Sequence, residues 1–103
     1  MKTNLSLTYK VVLTKTRIVS KEDGSYSMNA PMIGFDGPEF LTEKLAKDYI
    51  ILRMKEEMKS RAQYRGASVE RCSDRMFKMS FDAVTVLFTY SVVSVMVGIP
   101  EEE

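Results

Sequence analysis

The stretch PEFLTEKLAKDYIILRMKEEMKSRAQYR, residues 38–65, decides the fold. Gly37 and Pro38 punctuate its start and Gly66 its end, with about seven turns and no helix breaker between them. Asp36 or Gly37 suits the cap, Pro38 the first helical position, and Glu39 the positive end of the dipole. Apolar side chains fall on two stripes. Leu41, Leu45, Tyr49 and Leu52 line one face, while Ile51, Met54, Met58 and Ala62 form a second, rotated by about a quarter turn or more at ~100° per residue. Glu43, Arg53, Glu57 and Ser60 take the side left over. One stripe suffices to cover a sheet. Either the two form one wide stripe on a curved sheet, or Met54 and Met58 meet another subunit or a protein target, where adaptable Met side chains recur.

Outward from this helix the chain reads as strand. Leu5, Leu7, Tyr9, Val11 and Leu13 alternate with Asn4, Ser6, Thr8 and Lys10, the pattern of a half-buried strand. Lys15 and Arg17 then take the apolar parity and Ile18 the polar one, which predicts a bulge or bend near residues 14–16. Glu22, Asp23, Gly24 and Ser25 form a turn signal. Tyr26, Met28, Ala30 and Met32 alternate after it, giving a hairpin whose second arm ends near Pro31. Residues 33–37 read as loop and 66–73 as a polar connection. Phe77, Met79 and Phe81 make a third strand, with Asp82 and Ala83 as a tight turn or as part of a continuous strand. Residues 84–97 are apolar on both parities, as a strand in mid-sheet or at a subunit interface would be. Gly98 and Pro100 end it, and Glu101, Glu102 and Glu103 read as a frayed acidic tail. The expected fold is one α+β domain, β-β-α-β-β, an antiparallel sheet covered by one long helix.

Composition narrows the chemistry. The chain of 103 residues has one cysteine and no histidine, with 45% apolar and 28% charged residues. That is ordinary for a globular domain large enough for its own core. A lone Cys72 excludes an intramolecular disulfide and fits a reducing, cytoplasmic setting. The N-terminus lacks the continuous apolar run of a signal peptide. Residues 83–99 carry no charge, but they are short for a membrane span and rich in Val, Ser and Thr, so no membrane is expected. Without histidine the commonest general base, the Ser-His-Asp triad and most zinc sites are gone. Cys72 lies between Arg71 and Arg75, which could lower its pKa, yet it has no base partner. Asp23, Asp36 and Asp82 occupy turn or cap positions. Neither a Walker A loop nor a GxGxxG motif occurs. We expect no enzyme: no catalytic residue, no cofactor and no metal.

Net charge is +1, unevenly spread. Residues 53–78 hold eight Lys/Arg against four acids, and the remainder is acidic. Arg61, Arg65, Arg71, Arg75 and Lys78 form a candidate basic patch. Cations near a helix C-terminus are partly explained by the dipole. A nucleic-acid groove would interleave aromatics, for which Tyr64 and Phe77 are the candidates, while Glu56, Glu57, Glu70 and Asp74 would repel phosphate. Surplus apolar surface at Met54, Met58, Val93, Val95 and Val97 points to a homo-oligomer or a protein partner.

Residues 21–35 read KEDGSYSMNAPMIGF. Asp23, Gly24, Tyr26, Pro31, Ile33 and Gly34, followed by the long helix, resemble the hairpin of HicB-type antitoxins. The resemblance covers about forty residues. It implies a partial RNase H-like α+β fold that neutralises a small toxin ribonuclease, often as an oligomer. It does not extend to an operator-binding domain. The functional expectation is a non-catalytic, protein-binding regulatory or inhibitory protein of antitoxin-like or phage type. A structural subunit of a homo-oligomeric assembly is the main alternative, and a nucleic-acid-binding module is the third.

Overall fold

The structure is a computed structural model and describes residues 3–100, with side chains described for 5–98. Helix α1 spans Glu43–Arg61. Its cap is Thr42, whose hydroxyl accepts the Leu45 N–H at 3.2 Å. It therefore starts later than Pro38, because the preceding residues are bound elsewhere. Phe40 and Tyr9 exchange backbone hydrogen bonds of 2.7 and 2.8 Å, which hold Phe40 extended. Asp36 caps nothing and pairs instead with Arg53.

The inward face of α1 is Ala46, Ile50 and Met54, all buried, with Tyr49 and Met58 half-buried beside them. This corrects the expected stripes. Met54 is only 2% exposed and Met58 is half-buried on the same core, so both serve the core rather than a free second stripe. Leu41, Leu45 and Leu52 instead form the outward ridge. The charged side left over from both stripes, Arg53 and Glu57, also turns inward, where ion pairs satisfy it.

Six strands surround the helix in sequence: β1 (Thr3–Ser20), β2 (Tyr26–Met28), β3 (Met32–Phe35), β4 (Ala67–Ser73), β5 (Met76–Phe81) and β6 (Val84–Pro100). The order is β2-β1-β6-β5-β4, with β3 also on β1, and every pairing is antiparallel. The α+β class agrees with the sequence reading; the element order β-β-β-α-β-β-β does not. Pro31, with no N–H to give, lies in the break that divides the second hairpin arm into β2 and β3. The polar connection 66–73 is largely β4, an edge strand, where polar side chains are at home.

No bulge interrupts β1, which keeps one register with β6 from Thr3↔Pro100 to Val19↔Val84. The parity change has another cause: Lys15 stays on the helix side and reaches toward the Phe88 ring, while Ile18 pairs with Met28. The bulge lies in β4, between Arg71 and Ser73.

Alternation then assigns the faces. Tyr9, Val11 and Leu13 of β1, Phe88, Tyr90 and Val92 of β6, and Phe77 and Met79 of β5 look toward α1 and form the core. Phe77 stacks on Phe88 with centroids 4.5 Å apart. The opposite face carries Val12, Ile33, Phe35, Leu87 and Val95, and among the described residues no element covers it.

Beyond this body the β1–β6 ribbon continues alone. The principal extents are 67 × 25 × 19 Å and the radius of gyration is 18.1 Å. A compact chain of this length has a radius of about 13 Å.

Candidate functional site

The ribbon beyond the body is the first candidate. The outer edge of β1 is engaged from Tyr9 onward, and the outer edge of β6 is engaged up to Tyr90, whose N–H donates to the Arg75 carbonyl at 2.7 Å. Past these points, among the described residues, both edges are open. Antiparallel geometry fixes which groups they offer. Since Tyr90 turns its polar groups to the β5 side, Val92, Ser94, Met96 and Gly98 do the same. The predicted interface residues Val93, Val95 and Val97 lie together on the sheet face away from α1, at the pairs Val93↔Lys10, Val95↔Thr8 and Val97↔Ser6. Leu5, Leu7 and Met96 are exposed on the other face. No charged residue occurs in 3–9 or 91–98. An uncharged, apolar open edge is a template for strand pairing, and a two-stranded ribbon is marginal by itself in water.

The basic patch does not converge. Arg61 faces the sheet, with its guanidinium over the Phe88 ring at 4.3 Å and its Nε 3.1 Å from the Glu57 carboxylate. Lys78 lies on the other face of the sheet and pairs with Glu70 at 3.2 Å. Arg61 and Arg65 line one hollow with Tyr64, Met79 and Phe81 near the far end of the helix, apart from Arg71, Arg75 and Lys78. Phe77 is buried and unavailable for stacking on a base. Strand alternation scatters what the linear sequence clusters.

Arg71 and Arg75 do share a site, and sequence reading missed its other members. Lys47, Ile50, Ile51 and Asp74 join them around a hollow of about 260 Å³ between α1 and the β4–β5 turn. A second hollow of about 390 Å³ continues along Ile51, Met54, Lys55, Met58 and Arg71. The floor is apolar and the rim is cationic. Arg71 bonds the Ser73 carbonyl at 3.1 Å and lies 3.4 Å from the Asp74 carboxylate. Lys47 pairs with Glu43 at 3.0 Å. Among the described residues Lys55 and Arg75 are in no ion pair. The signal for this groove was spacing: Lys47, Ile51 and Lys55 recur every four residues on one helix flank.

On the inward face, Asp36, Arg53, Glu57 and Arg61 form a continuous ion-pair chain, Arg53 lying 3.2 Å from Asp36 and 2.8 Å from Glu57. The Tyr49 hydroxyl donates to Asp36 at 3.2 Å, and burial together with that carboxylate raises its pKa. Tyr90 is 1% exposed and its hydroxyl has no hydrogen-bond partner among the described residues. Burial first, then the charges of Asp36 and Glu57, push it up to about 12 from its ordinary 10.0.

Tyr90→Phe tests what this unpartnered buried hydroxyl costs the fold. Removing an unsatisfied buried hydroxyl is expected to stabilise the fold by about 1 kcal/mol in urea melts at pH 7. The unfolded chain loses the Tyr90 proton near pH 10 and the folded chain near 12, so wild-type stability falls as pH rises through that window. The extra alkaline loss, about 2–3 kcal/mol at ~1.4 per unit, should vanish in Tyr90→Phe. A variant that melts earlier at pH 7 would contradict this.

Cys72 is exposed, its Sγ 3.8 Å from the Glu70 carbonyl. Among the described residues no three His, Cys, Asp or Glu side chains group to hold a metal, and no helix is long and apolar enough to cross a membrane. Comparison with family models, curated proteins and solved structures finds no match to this chain.

Proposed function

We propose that this chain is a non-catalytic assembly protein whose unit is a two-fold dimer, joined by antiparallel pairing of the β6 edges at residues 91–98. The charge-free open edge carries this reading. A two-fold axis normal to an antiparallel ladder must pass beside a residue that faces its own copy. With Val95 there, Val93 of each strand faces Val97 of the other. Ser94 then exchanges both backbone hydrogen bonds with Met96, and Val92 with Gly98. Every outward polar group of the edge is used, and three valines per strand meet in the close, non-hydrogen-bonded positions. No like charges oppose each other along the way.

The antitoxin-like inhibitor reading rests on the hairpin at Asp23, Gly24 and Tyr26 and gains nothing from the arm. A nucleic-acid module is disfavoured by the dispersal of the basic patch.

Sedimentation equilibrium at about 50 μM, within the range of common dimer affinities, is expected to give twice the chain mass of 11.8 kDa. Val95→Lys places two ammonium groups directly opposite at the axis and should raise the dimer Kd at least about tenfold. A wild-type monomer at that concentration would sink the proposal.

A further inference from the structure

We infer that the groove beside Arg71 and Arg75 clasps the acidic run Glu101, Glu102 and Glu103 of a second copy. This rests on the β6-edge dimer and adds its lock. In the Val95-centred register, Pro100 of the second copy falls opposite Tyr90. That ladder position is already filled, because the Tyr90 N–H donates to the Arg75 carbonyl at 2.7 Å. An incoming strand must leave the sheet there. Its own sequence ends the ladder at the same place, since Pro100 has no N–H to offer.

The three residues that follow are all glutamates, and they are delivered next to Arg75. Extended, they reach about 10 Å, enough to enter the hollow rimmed by Lys47, Arg71 and Arg75. Those three cations stand against one acid within the hollow, Asp74, which is almost fully exposed and held by Arg71. The run cannot serve its own copy. Its strand leads away from Tyr90 for ten residues, about 33 Å. Only a second copy, running antiparallel, brings the acids back to the turn.

Sedimentation equilibrium on full chains tests the clasp. The first variant is Glu101→Gln, Glu102→Gln and Glu103→Gln together; the second is Arg71→Gln with Arg75→Gln. A charge swap joins Arg71→Glu and Arg75→Glu to Glu101→Lys, Glu102→Lys and Glu103→Lys. The tip and groove variants should each raise the dimer Kd about tenfold, and together no further than either alone. The charge swap should return to within about threefold of wild type. Wild type should lose the same factor between about 50 and 500 mM salt, and the tip variant should not.

Tip and groove effects that simply add would overturn the clasp. A dimer that Val95→Lys breaks but the tip variant leaves unchanged would overturn the clasp alone. A wild-type monomer would take the dimer reading down with it. Retention of a (dT)20 strand that is lost in the groove variant and kept in the tip variant would assign the groove to phosphate and overturn the clasp.

Discussion

Phe77→Ala is expected to remove most of the stability of the fold. Only seven described residues are buried: Val11, Ala46, Ile50, Met54, Phe77, Phe88 and Tyr90. Phe77 is 0% exposed, lies at the centre of that set, stacks on Phe88 at 4.5 Å and faces Tyr90 at 6.5 Å. Truncation of such a ring costs about 3–5 kcal/mol, counting both lost transfer energy and the cavity. Small domains have only about 5–15 kcal/mol in all. The neighbouring cavity has few ways to collapse, because the ring lies between β-sheet backbone and a helix fixed at its start by the Thr42 cap. Urea denaturation should show the loss, with Phe81→Ala as the control. Phe81 sits on the same strand but is 46% exposed, and its loss should stay near 1 kcal/mol. A Phe77→Ala loss no larger than that of the control would mean that the core is centred elsewhere.

Gly37→Ala is expected to cost about 2–4 kcal/mol, and Gly24→Ala only about 1. Both glycines have φ near +86°, so both alanines incur the left-handed strain of about 1–2 kcal/mol. Space distinguishes them. A Cβ on Gly24 meets nothing within 4 Å, whereas one on Gly37 would lie 2.6 Å from Cζ and the hydroxyl of Tyr49. The ring would have to move, and with it the hydrogen bond to Asp36 and the tilted stack on Phe40 at 5.1 Å. Tyr49→Ala in the Gly37→Ala background should recover part of the loss. Equal losses at the two glycines would show that the Tyr49 contact carries no weight.

Gly37 also shows what sequence reading could and could not see. Its place before the helix was legible, but its purpose, making room for Tyr49 under the loop, depends on a contact across twelve residues. The existence of α1 and its approximate end were legible from periodicity. Its orientation was not, because apolar residues lie almost all round it and Arg53 and Glu57, read as outward, find partners in Asp36 and Arg61. Met54 was misassigned for that reason alone. Strand β4 was hidden because an edge strand with one polar face and a bulge looks like a connection. Val93, Val95 and Val97 share one sheet face, which alternation alone predicts without tertiary knowledge. Arg71 and Arg75 were found, but their companions Lys47 and Lys55 came from the far side of a cleft that only folding brings together.

The β1–β6 ladder also dictates an order of events. Val19 pairs with Val84 and Thr3 with Pro100, so the central pair of the sheet joins the two ends of the described chain. Val11 has no completed surroundings until Phe88 and Tyr90 exist. A nascent chain leaving the ribosome therefore holds β1, a long strand with exposed apolar residues, until β2 to β5 and α1 have all been made and β6 arrives. Closing so large a loop carries its entropy at the start, which places this fold among the slow, high-contact-order topologies despite its size. During that wait β1 can pair first with β2 and β3, and then with Phe40 and α1. Pairing with β2 and β3 at residues 12–20 thus shields one edge of the strand until β6 is made.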